Sequence, residues 1–151
     1  MPQSLSNVYL HLTFSTKHRV PLLANREVSS RLWEFIGGIC REMKCYPIQI
    51  GGYSDHVHIL CLLGREISQA RLVENLKKRS SAWMKTLGEA YTKFYWQEGY
   101  GAFSVNPTEK DKVVQYILAQ EEHHRKRTFQ EEYRAFLNKY NVNYDERYVW
   151  D

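Results

Sequence analysis

Two histidines one residue apart, and a tyrosine four residues ahead of a glutamine, are the parts of this sequence best suited to chemistry. His56 and His58 lie in the run DHVHILCLL, residues 55–63. Successive side chains of a strand point to opposite faces, so Val57, Ile59, Cys61 and Leu63 share one face and the two histidines the other. Adjacent imidazoles held this way offer one divalent metal two neutral nitrogen donors at a fixed separation. A solvated pair with no metal has the same spacing, so spacing alone leaves both readings open. Leu60 and Leu62 continue the histidine face and are apolar, which predicts a cover: an extra helix or a second subunit. His11 should also point away from the core, from the first strand.

Further along, Val113, Val114, Ile117 and Leu118 form an apolar helical stripe that leaves Tyr116 and Gln120 one turn apart on the other side. The glutamine carbonyl is a competent ligand for a hard cation such as Mg²⁺ or Mn²⁺. A phenol with a pKa of about 10 attacks only with help from a metal or base. Tyr116 is one of eleven tyrosines, and an exposed helical tyrosine commonly has no catalytic role.

The elements around these residues follow from periodicity. Residues 8–14 alternate as a half-buried strand, with Val8, Leu10, Leu12 and Phe14 on its core face. A helix over 26–44 starts after Asn25 as N-cap. Strands over 46–53 and 56–63 flank a tight turn at Ser54-Asp55. A helix over 67–87 and a strand over 95–105, interrupted by Gly99 and Gly101, come next. Helices over 109–126 and 128–139 complete the series, and the aromatic tail 142–151 should pack back. The order βαββαβ then αα predicts an α+β fold: a ferredoxin-like antiparallel sheet with helices on one face and two extra C-terminal helices. No linker divides the chain, so one domain is expected over 1–151, with a core over 7–127 and a helical extension over 128–151.

A net charge of +4, a pI near 8.9 and 14% aromatic residues favour a polyanionic partner with unpaired bases to stack. Lys17, Arg19, Lys77, Lys78, Arg79, Arg125, Lys126 and Arg127 are the candidates for phosphate contacts, a solvated basic face being the alternative. His123-His124 could suggest a second metal site, but a polar helix end near DNA explains the pair as well. Cys40, Cys45 and Cys61 have no CxxC spacing, which argues against a disulfide framework or a structural zinc site. Neither a signal peptide nor an apolar stretch of roughly 20 residues is present. A cytoplasmic, nucleoid-associated protein with no membrane partner is expected.

Four blocks in order, YLHLTFSTKHR (9–19), DHVHIL (55–60), YWQEGYGAFSV (95–105) and VVQYILAQ (113–120), resemble the single-tyrosine HUH transposases of bacterial insertion sequences, the TnpA and REP-associated branch. The resemblance implies that His56, His58 and Gln120 hold one Mg²⁺ or Mn²⁺, and that Tyr116 attacks single-stranded DNA. A 5′-phosphotyrosine and a free 3′-hydroxyl would result. It further implies hairpin-containing element ends as substrate, and a homodimer in which the tyrosine helix can act in trans. The extension over 128–151 is longer than the minimal family core. A non-catalytic single-stranded nucleic-acid-binding module, a domesticated relative, and a replication-initiator or relaxase-type HUH nuclease are the alternatives.

Overall fold

The computed structural model describes residues 2–151. Four strands, β1 (Tyr9–Ser15), β2 (Pro47–Tyr53), β3 (His56–Leu62) and β4 (Gly101–Val105), form one sheet in the order β2-β3-β1-β4. Every neighbouring pair is antiparallel. Helix α1 (Arg26–Glu42) connects β1 to β2, and α2 (Gln69–Met84) connects β3 to β4. This is the ferredoxin-like arrangement that the element order predicts.

Local chemistry sets the boundaries. The Asn25 side chain accepts from the backbone N–H groups of Glu27 and Val28, and Ser68 accepts from that of Arg71, so each helix starts on a capping residue. Helix α1 ends before Lys44, which takes a left-handed φ of 59°. On one face of the sheet, Leu10, Leu12 and Phe14 of β1 and Val57, Ile59 and Cys61 of β3 meet Leu32, Ile36, Leu72 and Leu76 of the two helices. Burial of each large apolar side chain here contributes about 1.5–3 kcal/mol. Val8 lies outside this core, half exposed just before β1. All three cysteines are free and buried, and burial pushes the Cys40 thiol up to about 12.

The opposite face, which carries the histidines, is covered by the same chain. Helices α3 (Lys110–Leu118), α4 (Gln120–His123) and α5 (Phe129–Lys139) lie over it. Gly51, the ladder partner of His58, lets α3 approach: a Cβ there would sit 2.9 Å from the Ile117 side chain. Ile117 then packs on Leu60 and Val105, which supplies the cover that the apolar Leu60 requires. Helix α5 rests on Phe103 through Phe129, Tyr133 and Leu137, and Val149 and Trp150 of the tail return to the same cluster. The sheet is thus sandwiched, with α1 and α2 on one side and the C-terminal helices on the other.

Two further expectations change. The helix expected over 109–126 breaks at Ala119, whose φ of −94° and ψ of 17° separate α3 from α4. The strand expected over 95–105 shortens to Gly101–Val105, preceded by one isolated bridge from Trp96 to Thr16. The Lys77 ammonium accounts for the second change, since it takes the carbonyls of Gln97, Glu98 and Gly99 at 2.7, 2.9 and 2.6 Å. The Gly99 N–H is taken as well, by the Asp151 carbonyl at 2.8 Å, so the stretch between Gln97 and β4 bonds elsewhere than along β1. Among the described residues, no helix is long and apolar enough to cross a membrane.

Candidate active site

Strand β3 delivers both histidines to one spot, as alternation requires. In the β1–β3 register, His56 lies opposite Ser15 and His58 opposite Thr13, and His11 is the diagonal neighbour of His58. Each imidazole has a second partner. Asp55, in the turn, places Oδ1 2.8 Å from His56 Nδ1, and His11 Nε2 lies 2.8 Å from His58 Nδ1.

Helices α3 and α4 bring Tyr116 and Gln120 over this pair. Gln120 Nε2 donates to Glu132 and, at 3.5 Å, to the Tyr116 carbonyl, which turns Oε1 toward His56 Nε2 at 2.8 Å. Helix α5 adds Glu132, the group on which the site converges. Its Oε1 lies 2.9 Å from His58 Nε2, and its Oε2 accepts the Tyr116 hydroxyl. His56, His58, Gln120 and Glu132 are all at most 3% exposed. A groove of about 710 Å³ between α3 and α5 reaches Tyr116 and Glu132, with Lys112, Arg127 and Lys139 on its walls.

The electrostatics follow from this crowding. Burial by itself would raise the Glu132 carboxyl, but His58, His124 and His56 around it hold it well below the usual carboxylate range. Burial and the adjacent Glu132 push the Tyr116 phenol above its ordinary value, so it stays a protonated donor. Burial also lowers His58 and His11, which are neutral. Burial would lower His124 too, yet its hydrogen bond and charge contact with Glu132 outweigh that and raise it. Both His124 nitrogens face acceptors, the Arg127 carbonyl at 2.6 Å and Gln120 Oε1 at 3.1 Å.

The donor set fits a divalent cation. His56 and His58 each offer a ring nitrogen, Glu132 offers a carboxylate oxygen, and these three atoms lie within 4.8 Å of one another. Asp55 holds His56 Nδ1, which leaves Nε2 facing the centre, 2.8 Å from Gln120 Oε1 and 3.5 Å from Glu132 Oε1. Buried imidazole and oxygen donors converging in this way suit Mn²⁺ or Mg²⁺.

The four residues expected to form the centre, His56, His58, Tyr116 and Gln120, are therefore brought together. The basic candidates divide. Arg125, Lys126 and Arg127 are exposed beside His124 in the α4–α5 connection. Lys78 and Arg79 are exposed on α2, across the sheet from Tyr116, and Arg79 pairs with Glu42. Lys17 is exposed, and the Arg19 guanidinium lies 5.7 Å from the Trp150 ring centroid. Lys77 is a correction: its three protons are taken by the carbonyls it organises, which leaves none for a phosphate.

Sequence reasoning missed Glu132 and set His124 aside. Glu132 did carry a signal: it is an acidic residue inside the apolar stripe of Phe129, Tyr133 and Phe136, where a helix facing a core has no use for a charge without a partner. His124 carried one as well, since it lies one further turn after Gln120 on the side of the expected helix that holds Tyr116.

A sequence model of the family described as transposase IS200-like matches residues 4–120. No curated protein sequence matches the chain. Among solved structures, a candidate transposase from Deinococcus radiodurans R1 is similar with a TM-score of 0.63 at 21% identity, over 80% of this chain and 95% of that one. A REP-associated tyrosine transposase bound to a REP hairpin is similar with a TM-score of 0.60 at 16% identity, over 82% of this chain and 72% of that one. At these identities the likeness is one of fold.

Proposed function

The chain belongs to the IS200-like transposase family, and on that premise we propose that it nicks and rejoins single-stranded DNA, with Tyr116 as the nucleophile. His56, His58, Gln120 and Glu132 would hold one Mg²⁺ or Mn²⁺. The observation that carries the reading is the single carboxylate of Glu132 joining the Tyr116 hydroxyl to the histidine pair.

A divalent cation bound there supplies Lewis-acid polarisation of a phosphodiester oxygen. The rest is done by the chain. Tyr116 Oη attacks phosphorus as its proton passes to Glu132 Oε2, already in hydrogen-bond contact. The Tyr116 O–P bond forms and the P–O3′ bond breaks. The leaving 3′-oxygen takes up a proton, giving a 5′-phosphotyrosine and a free 3′-hydroxyl. One phosphodiester replaces another, so a 3′-hydroxyl can reverse the step and join new ends without ATP.

Within one chain Tyr116 stands over its own histidines, so the reaction is proposed in cis, in each subunit of a homodimer. The substrate proposed is a hairpin-containing element end, in line with the hairpin bound by the REP-associated relative. The strand would reach Tyr116 through the groove between α3 and α5, past Lys112, Arg127 and Lys139.

Polarity tests the reading. The protein is incubated with Mg²⁺ and single-stranded DNA from the sequences flanking its gene, labelled at one end or the other. Label at the 3′ end should stay with the protein through denaturation, while label at the 5′ end leaves on a shorter strand. Retention of the 5′ label, or of neither, contradicts the proposal.

A further inference from the structure

We propose that His11 is a positioning residue of the metal centre, the partner that sets which nitrogen of His58 carries the proton. The inference rests on the metal reading above and adds a residue to it.

Both nitrogens of His58 are engaged, Nδ1 with His11 Nε2 at 2.8 Å and Nε2 with Glu132 Oε1 at 2.9 Å. A carboxylate only accepts, so with Glu132 as its partner His58 carries its proton on Nε2. Its Nδ1 then accepts from His11 Nε2–H. To ligate a metal through Nε2, His58 must present a lone pair there and hold its proton on Nδ1. The same hydrogen bond must then run the other way, from His58 Nδ1–H to His11 Nε2, with the proton of His11 on its own Nδ1. An imidazole allows both directions by changing tautomer. Asp55, the corresponding partner of His56, allows only one.

Packing does not explain an imidazole at this position. His11 is 1% exposed, with its ring edge-on to Phe103, Phe136 and Tyr116 at centroid distances of 6.3, 5.2 and 6.5 Å. Phenylalanine suits that aromatic box better, since a buried polar ring is costly unless its nitrogens are used. The use is the bond to His58, and outer partners of this kind orient metal-bound histidines.

The test measures Mn²⁺ binding to the DNA-free protein, from the electron paramagnetic resonance signal of unbound Mn²⁺. His11→Phe keeps the ring and removes the hydrogen bond. His11→Gln places an amide near the position of Nε2, and the amide can turn either its oxygen or its nitrogen to His58. His11→Phe should weaken Mn²⁺ binding about 10–100-fold, and His11→Gln should restore most of it. Equal binding by wild type and His11→Phe overturns the role, as does equal loss in both variants. Wild type that binds no Mn²⁺ overturns the metal reading itself, a distinct result. Should His11→Phe not fold, the ¹H–¹⁵N spectrum of wild-type His58 decides. The proton should lie on Nε2 without Mg²⁺ and on Nδ1 with it; the same site in both states overturns the proposal.

Discussion

The Tyr116 hydroxyl donates to Glu132 Oε2 while the other oxygen of the same carboxylate, Oε1, lies 2.9 Å from His58 Nε2. The glutamate lies sixteen positions after the tyrosine, and the turn between α4 and α5 folds the chain back to join them. Glu132→Gln keeps the shape and removes the base. Cleavage of single-stranded DNA should fall about 100-fold or more, while binding of the same strand changes little. A variant that cleaves as fast as wild type, or faster, would mean that the carboxylate only obstructs the centre.

The buried histidines predict an acid-sensitive fold. Burial, reinforced by the neighbouring His58 imidazole, holds His11 below 6.5, and burial holds His58 below it too. The unfolded chain therefore takes up protons near pH 6.5 that the folded chain refuses, and stability declines as the pH falls through that value. Glu132 acts in the same direction. Its folded pKa lies below the ordinary 4.5, so its contribution is complete above that pH and disappears below it. His124, raised above 6.5, works in the opposite sense, its contribution being lost as the pH rises. With two histidines and Glu132 against one, the Tm of the metal-free protein should drop between about pH 7.5 and 5.5 and drop further below 4.5. Scanning calorimetry across this range checks it, and a flat or rising Tm toward acid would contradict the assigned protonation states.

Much of the centre was legible because strand geometry is strict. Alternation places His56 and His58 on one face whatever packs there, and Tyr116 and Gln120, four residues apart, stay neighbours although the break at Ala119 puts them on α3 and α4. What covers the histidines was not legible, since Leu60 only demands a cover and does not name one. The cover comes from α3 seating on Gly51 and from α5 seating on Phe103. Such contacts between distant segments leave no periodic trace. The break at Ala119 was hidden for a related reason. Nothing in the local sequence forbids a continuous helix there, and it is tertiary packing that brings Gln120 and His124 onto the centre.

Lys77 separates a structural cation from a DNA-binding one. Burial lowers its ammonium to about 8, partly offset by Glu98, and its protons serve the three carbonyls ahead of β4. Lys77→Met should cost about 1–3 kcal/mol of stability, seen as a Tm lower by several degrees, with affinity for single-stranded DNA within about twofold of wild type. Loss of DNA affinity with an unchanged Tm would return Lys77 to the phosphate contacts.

The central claim is that one tyrosine among eleven forms a covalent bond to DNA. Its most direct test is mass spectrometry of the peptides from the denatured protein–DNA adduct, after nuclease trimming. The nucleotide remnant should lie on Tyr116, and Tyr116→Phe should give no adduct while still binding the strand. A remnant on any other residue, or an adduct that persists in Tyr116→Phe, would contradict the account.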